Sequence, residues 1–372
     1  MKIAYVNYFY DEYLTENEYL LKYHSIHGWC KGLSSQGLNV EVFQRFSKNI
    51  IFKKDNVTYN LINDYKPNRL KKYQIPHLLN KTIKKGNFDI IHINSFIHIF
   101  QAYFLKKINP TSKIVIQHHA EKPPRGFRKY LLKYFSSSID GFIFASTGIY
   151  NNWIKTKSID HSIQKIEIME SSTNFCIKKR SKAREITGLK GNPILLWVGR
   201  LTENKDPLVV LKGFLLLLQD FANAKLYMIY SENKLEKEIL SLLNENTLLK
   251  NSVTLIGTMN HNLISDYYNS ANYFVLGSHY EGSCYSLCEG MACGLVPIVT
   301  NISSFNTMTN NGKIGGLWKC GDVNSFYNIS KEVINKPIAI ESEKVLKYFL
   351  NNLSFSAISK KAKLFYENLL KC

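Results

Sequence analysis

The sequence has no run of roughly eighteen consecutive apolar residues, which excludes a hydrophobic helix long enough to cross a bilayer. It enters the strand pattern Ile3–Asn7 at once, so no secretory leader is expected either. The expected location is cytoplasmic, with peripheral attachment to the inner face of the cell membrane as its variant. Disulfide chemistry is lacking as well. The seven cysteines, at 30, 176, 284, 288, 293, 320 and 372, show no C-x-x-C pair and no framework spacing. Cys284, Cys288 and Cys293 lie near His279, but Cys288 and Cys293 face different ways on a helix; small buried thiols are expected, and no metal. Acid is in short supply: 29 Asp plus Glu against 48 Lys plus Arg leave a formal charge of +19. Such an excess suits nucleic acid, an anionic lipid surface or phosphorylated small molecules, and equally the lysine-rich, asparagine-rich style of an AT-rich genome. No nucleic-acid-binding module is recognisable, so nucleic acid is not an expected partner. Glycine is absent from residues 1–27.

What is present is enough for two cores: 372 residues, 45% of them hydrophobic. In the first half Ile3–Asn7, Val40–Phe43, Val57–Ile62, Asp89–Ile93, Lys113–Gln117, Gly141–Ala145 and Ile166–Met169 read as strands, most of them separated by polar loops or helix-period stretches. This alternation predicts an α/β fold with parallel sheets covered on both faces, whose ligands bind beyond the carboxyl ends of the strands. Residues 178–192, KKRSKAREITGLKGN, read as the passage between domains. The second half adds strands at Ile194–Val198, Lys225–Tyr230, Val253–Ile256 and Tyr273–Leu276.

The stretch Leu276–Asn301, LGSHYEGSCYSLCEGMACGLVPIVTN, organises the rest. It reads as a strand end, a loop loosened by Gly277 and Gly282, a helix opened by Ser286–Glu289 and closed by Gly294, and a second strand. The backbone N–H groups of such a turn, with the helix dipole behind them, suit a diphosphate, and Glu281 and Glu289 suit polyol hydroxyls on either side. Ser286 and Glu289 are equally an S-x-x-E capping box, which needs no ligand. In Gly199-Arg200-Leu201-Thr202-Glu203-Asn204-Lys205-Asp206-Pro207, Asp206 and Pro207 read as N-cap and first residue of a helix. Arg200 and Lys205 then bracket a loop ending at a helix N-terminus, as a fork and a point charge for a diphosphate.

EGSCYSLCEGMACGLVPIV, with two glutamates separated by seven residues, and the G-R-L-x-x-x-K run at Gly199–Lys205 resemble retaining glycosyltransferases of family 4, the group 1 glycosyl transferases of GT-B fold. The resemblance is continuous over about residues 190–370. It implies two Rossmann-like domains facing a cleft: an acceptor domain of residues 1–175 with the helix 355–372 packing back on it, and a donor domain of residues 176–354. It implies transfer of a hexosyl-type sugar from a nucleoside-diphosphate sugar to a saccharide or lipid-linked acceptor in surface polysaccharide biosynthesis, with no cofactor and no metal. The implied catalytic groups are His119, Arg200, Lys205 and Glu281. The implied donor-binding groups are Arg200, Lys205, Gly257, Thr258, Glu281, Gly282, Ser283, Cys284, Tyr285, Ser286, Leu287 and Glu289. His119 holds its place as the histidine at a strand's carboxyl end that contacts the sugar, whereas alternation sends His118 to the other side.

Departures from the family pattern are local. Glycines usual after the first strand are replaced by YFYDEYLTENEYLLKYHSIHGW, in which Asp11, Glu12 and Glu16 suit acceptor hydroxyls or a solvated loop. The strand before Ser231-Glu232 lacks the usual glycines, and Ser303-Ser304-Phe305-Asn306 lacks the customary acid. In RGFRKYLLKYF, Phe127, Tyr130, Leu131 and Tyr134 make an apolar stripe among Arg125, Arg128, Lys129 and Lys133. The stripe fits core packing and an anionic membrane surface equally. Arg69-Leu70-Lys71-Lys72 through Lys84-Lys85 adds a second basic patch. Two other functions fit the same residues: a nucleotide-sugar epimerase of this fold, and a non-enzymatic anion-binding protein.

Overall fold

The computed structural model describes residues 1–66, 68, 70, 71 and 73–371. Arg69 and Lys72 of the second basic patch, and Cys372, lie outside the described residues. Contacts divide the chain into two units, Met1–Glu170 with Phe355–Cys372, and Ser171–Ser354.

The first unit is built on a sheet of eight strands among the described residues: β1 Lys2–Asp11, β2 Asn39–Phe46, β3 Ile50–Lys54, β4 Val57–Ile62, β5 Ile90–Asn94, β6 Lys113–Gln117, β7 Gly141–Phe144 and β8 Gln164–Glu167. Their order is β3-β4-β2-β1-β5-β6-β7-β8, and every pairing is parallel except β3 with β4. The sequence reading omits β3. Asp55 and Asn56, with φ of 50° and 61°, form the two-residue hairpin turn in which both central residues are left-handed, a geometry Asn and Asp tolerate. Where glycines were missing, β1 runs on to Asp11 through a register shift between Asn7 and Tyr10. Asp11 is not presented to a ligand: it accepts from the Tyr23 hydroxyl at 3.0 Å and pairs with Lys22 at 2.6 Å.

The second unit carries six parallel strands among the described residues: β9 Ile194–Gly199, β10 Lys225–Tyr230, β11 Val253–Gly257, β12 Tyr273–Leu276, β13 Val296–Thr300 and β14 Gly316–Trp318, in the order β11-β10-β9-β12-β13-β14. The near-continuous apolar runs Ile194–Val198 and Tyr273–Leu276 are buried, as expected for strands covered on both faces. Residues 178–192 are not a linker. Arg180–Thr187 is a helix of this unit, ended by Gly188 at φ 68°, with Ala183 buried beneath it. Its basic character serves carbonyls: Arg184 donates to the Ser270 carbonyl at 2.9 Å and to Asn272 Oδ1 at 3.1 Å.

The cysteines are packing residues. Cys30, Cys284, Cys288 and Cys293 are buried, and burial pushes each thiol above its ordinary pKa. No group of three or more His, Cys, Asp or Glu side chains placed to hold a metal occurs among the described residues. No described helix is long and apolar enough to cross a membrane.

The C-terminal helix Phe355–Lys371 closes the first unit by lying on helix His24–Ser35. Gly28 and Gly32 make that approach possible: a Cβ on Gly28 would sit in the Phe355 ring, and one on Gly32 would stand 2.9 Å from the Phe355 carbonyl oxygen. Since backbone cannot step aside as a flexible side chain can, Gly32→Val is expected to destabilise the fold by about 1–3 kcal/mol. Urea unfolding checks this; an unchanged midpoint would mean that the two helices have room to spare.

Candidate functional site

The carboxyl ends of β9 and β10, with the loops after β11 and β12, enclose a cleft of about 320 Å³ in the second unit. Its wall includes Arg200, Lys205, Thr258, Glu281 and the run Ser283–Ser286. The cations reach it because the loop after β9 is short and ends in helix Pro207–Leu217. That helix is capped by Asp206, whose carboxylate accepts from the Val209 N–H at 3.4 Å, and has Pro207 at its first position.

Four interactions lock this loop to the one after β12. The His279 N–H donates to the Asn204 carbonyl at 2.8 Å, and the Asn204 side chain donates to the Tyr280 carbonyl at 3.0 Å. His279 Nε2 meets Asp206 Oδ2 at 2.9 Å, and Lys205 Nζ meets Glu281 Oε1 at 2.5 Å. Gly277 permits the approach, since a Cβ there would stand 2.9 Å from the Asp206 carbonyl oxygen and 3.1 Å from that of Lys205. Burial works against the Lys205 ammonium, yet the Glu281 carboxylate beside it holds its pKa above the ordinary lysine value. Cys284 is itself pushed up by burial and stays a thiol, so the compensating charge is the Glu281 carboxylate. Arg200 is more exposed and pairs with Glu232 at 3.4 Å.

Helix Tyr285–Ala292 points its N-terminus at this cleft. Cys284 at the N-cap makes no capping hydrogen bond, and the Ser286–Glu289 capping box does not form, because the helix starts two residues earlier than that motif requires. Glu289 is turned elsewhere. It is buried and accepts from His261 Nε2 at 2.7 Å and from the Tyr268 hydroxyl at 3.0 Å. It does not line the cleft, and neither do Gly257, Gly282 or Leu287, whose side chain belongs to the core.

Two family models match. "Glycosyltransferase Family 4" matches residues 24–169 and "Glycosyl transferases group 1" matches residues 179–349, so between them they take in both units. The chain belongs to the family 4 glycosyltransferases, and its fold is GT-B. A curated relative, the UDP-Gal:alpha-D-GlcNAc-diphosphoundecaprenol alpha-1,3-galactosyltransferase of Escherichia coli, is 27% identical over 178 residues, 47% of this chain and 44% of that one. The chain spans less than half the length of the curated relatives it matches. Among solved structures, a glycosyltransferase from Rickettsia africae superposes with a TM-score of 0.74 at 19% identity, covering 100% of this chain and 98% of that one. Anabaena HepE in complex with UDP gives 0.70 at 14%, covering 99% and 100%.

Of the expected residues, Arg200, Lys205, Thr258, Glu281 and Ser283–Ser286 are gathered in the second unit, and His119 belongs to the first. There His119 Nε2 meets Asn94 Oδ1 at 2.7 Å and Nδ1 pairs with Glu170. Burial lowers its pKa less than Glu170 and Glu121 raise it, and both ring nitrogens face acceptors, an arrangement that favours the imidazolium. Contact with a sugar, expected from its strand-end position, requires one of these bonds to exchange. Behind it His92, pushed down to about 3 by burial, links the Tyr366 hydroxyl at 2.6 Å to Gln117 at 2.9 Å. His118 lies on the opposite side, stacked on Phe144 at 5.0 Å.

Sequence reasoning missed Tyr230, Ser231 and Ile264 on the cleft wall, and Asn204 and His279 in the lock between loops. Strand-end register would have found the first pair. His261 left no signal, since it approaches Glu289 from another helix.

Glu289's hydrogen bond raises the His261 pKa above its ordinary 6.5 despite burial. A raised histidine stabilises the fold fully below the unfolded value and loses that contribution as pH climbs through the higher folded one. The stability advantage of the native chain over His261→Gln is therefore expected to be greatest below pH 6.5 and to shrink as pH rises past it, as followed by thermal unfolding. An advantage that grows with pH would contradict the pairing.

Proposed function

We propose that the chain moves a hexosyl-type sugar from a nucleoside-diphosphate sugar to a glycan or lipid-linked acceptor, with retention of anomeric configuration, in the building of a surface polysaccharide. The carrying observation is the buried Lys205 ammonium, held beside Glu281 at the mouth of a helix whose N-cap residue, Cys284, makes no side-chain capping bond. A dianionic leaving group at that point gains from the lysine, from Arg200 and from the helix N–H groups together. The UDP in the Anabaena structure and the UDP-galactose in the Escherichia coli relative's name support a nucleoside diphosphate there, and the diphosphoundecaprenol in the same name supports a lipid-linked acceptor.

In the step itself the bond between the anomeric carbon and the diphosphate oxygen breaks, and the pair of electrons leaves with the phosphate. An acceptor hydroxyl forms the new bond on the same face, and its proton passes to the leaving phosphate oxygen. No enzymic base is needed, and no metal is assigned a part. Glu281 shares its charge between Lys205 and a sugar hydroxyl. Thr258, which donates to the Tyr230 carbonyl at 3.1 Å, borders the nucleoside with Ser231 and Met259. Ser283, Cys284, Tyr285 and Ser286 lend backbone to the phosphates. Glu289 reaches the ribose only if one of its hydrogen bonds, to His261 or to Tyr268, gives way.

Two measurements test the reading. In a thermal-shift panel of UDP-, GDP- and ADP-sugars, one nucleotide class present at a hundred times its dissociation constant is expected to add about 2.7 kcal/mol of stability. Lys205→Ala is expected to lower turnover by roughly 10²-fold or more. Unchanged transfer and unchanged donor hydrolysis in that variant would refute the role given to the lysine.

A further inference from the structure

The apolar stripe of residues 127–134 does not pack into the core. Phe127, Tyr130 and Tyr134 are 72%, 55% and 60% exposed, one turn apart along the segment that leads into and forms helix Arg128–Ser136. Leu131, the remaining residue of the stripe, turns inward instead, and with Leu132, Phe135 and Arg128 it lines a cavity of about 470 Å³ whose wall includes Phe96 and Phe100. Here three rings are left in water, at a cost that only an apolar partner removes.

The rings are surrounded by positive charge. Arg125, Arg128 and Lys133 are exposed and Lys129 is half-buried, its ammonium 4.9 Å from the centre of the Tyr130 ring. Tyr103, within 3.3 Å of Tyr134 through their hydroxyls, extends the patch and carries Lys107 at 4.5 Å. The carboxylate that answers this group is Asp160, 3.4 Å from Lys133. Aromatic side chains with polar tips, set among cations on a convex helix, match the boundary between lipid headgroups and acyl chains. Single-stranded nucleic acid would ask instead for a groove along which bases stack in succession.

We propose that this face of the first unit is a docking surface for an anionic lipid bilayer, with Phe127, Tyr130 and Tyr134 entering the headgroup region and Arg125, Arg128 and Lys129 meeting lipid phosphates. The proposal uses no residue of the sugar-transfer site, so each can fail without the other. The test is co-sedimentation of the full chain with phosphatidylcholine vesicles made with and without phosphatidylglycerol. Binding is expected only with phosphatidylglycerol and is expected to weaken with salt. Arg125→Gln with Arg128→Gln is expected to cut partitioning about fivefold for each charge, the factor that roughly 1 kcal/mol per cation at an anionic surface corresponds to. Phe127→Ser with Tyr130→Ser and Tyr134→Ser is expected to weaken vesicle binding while leaving nucleotide-sugar thermal shifts unchanged. The same charge loss at Lys237 and Lys250 is expected to matter little. Equal binding to both vesicle types, an equal loss from the Lys237 and Lys250 pair, or full binding by the triple aromatic variant would overturn the assignment. So would tight binding to polyuridylate with no vesicle binding, which would give the charge to nucleic acid.

Discussion

The Lys205–Glu281 ion pair is the contact on which the second unit's cleft depends. An ammonium withdrawn from water loses hydration worth several kcal/mol, and its partner restores that only with good geometry and further hydrogen bonds. Here the surroundings are fixed by three other bonds between the same two loops, and by Gly277, where the backbones come closest. Such a pair adds little net stability, and replacing it with apolar residues would serve the fold as well. What it does supply is a fixed charge of each sign at the open end of a parallel sheet, ready for a ligand that is itself charged.

Fixed charge matters because the chemistry of sugar transfer asks for little else. Donors that are already oriented need not be reorganised as the phosphate departs, and this is where electrostatic catalysis gains over water. The neighbouring thiol reinforces the arrangement: Cys284, kept protonated by burial, brings no competing charge to the helix N-terminus. The close cysteines at 284, 288 and 293 thus act as small apolar groups. Cys288 donates to the Ser171 carbonyl at 3.4 Å and Cys293 lies 3.3 Å from the Asn269 amide.

How much of this could be read in advance varied with how local the cause was. The runs Lys113–Gln117, Lys225–Tyr230 and Tyr273–Leu276 are strands at their expected ends, because continuous apolar, β-prone residues bounded by polar ones leave one solution. Asp206 and Pro207 cap their helix for equally local reasons. The hairpin strand β3 escaped because its turn lacks glycine, and Asp55-Asn56 is a weaker signal for the same geometry. The basic run 178–192 resembled a linker only because its partners, the Ser270 carbonyl and Asn272, lie some ninety residues further along the chain. Glu289 shows the same limit: its spacing from Glu281 is plain in sequence, but its hydrogen bonds to His261 and Tyr268 come from a helix that spacing cannot place.

The two units differ in what each can establish alone. All the groups that meet the proposed diphosphate come from residues 198–286 of one unit, so the logic of leaving-group stabilisation is complete within it. Among the described residues of the first unit, the candidate polar groups are already paired with one another. Its candidate contact, His119, has both ring nitrogens engaged, and Asp11 on the extended β1 is tied to Lys22 and Tyr23. Its distinguishing features are instead apolar and basic surface on helix Arg128–Ser136 and an apolar cavity behind it. If that helix docks on an anionic bilayer as proposed, a membrane-held acceptor would have its position set by the membrane, and fewer hydrogen bonds would be needed to orient it.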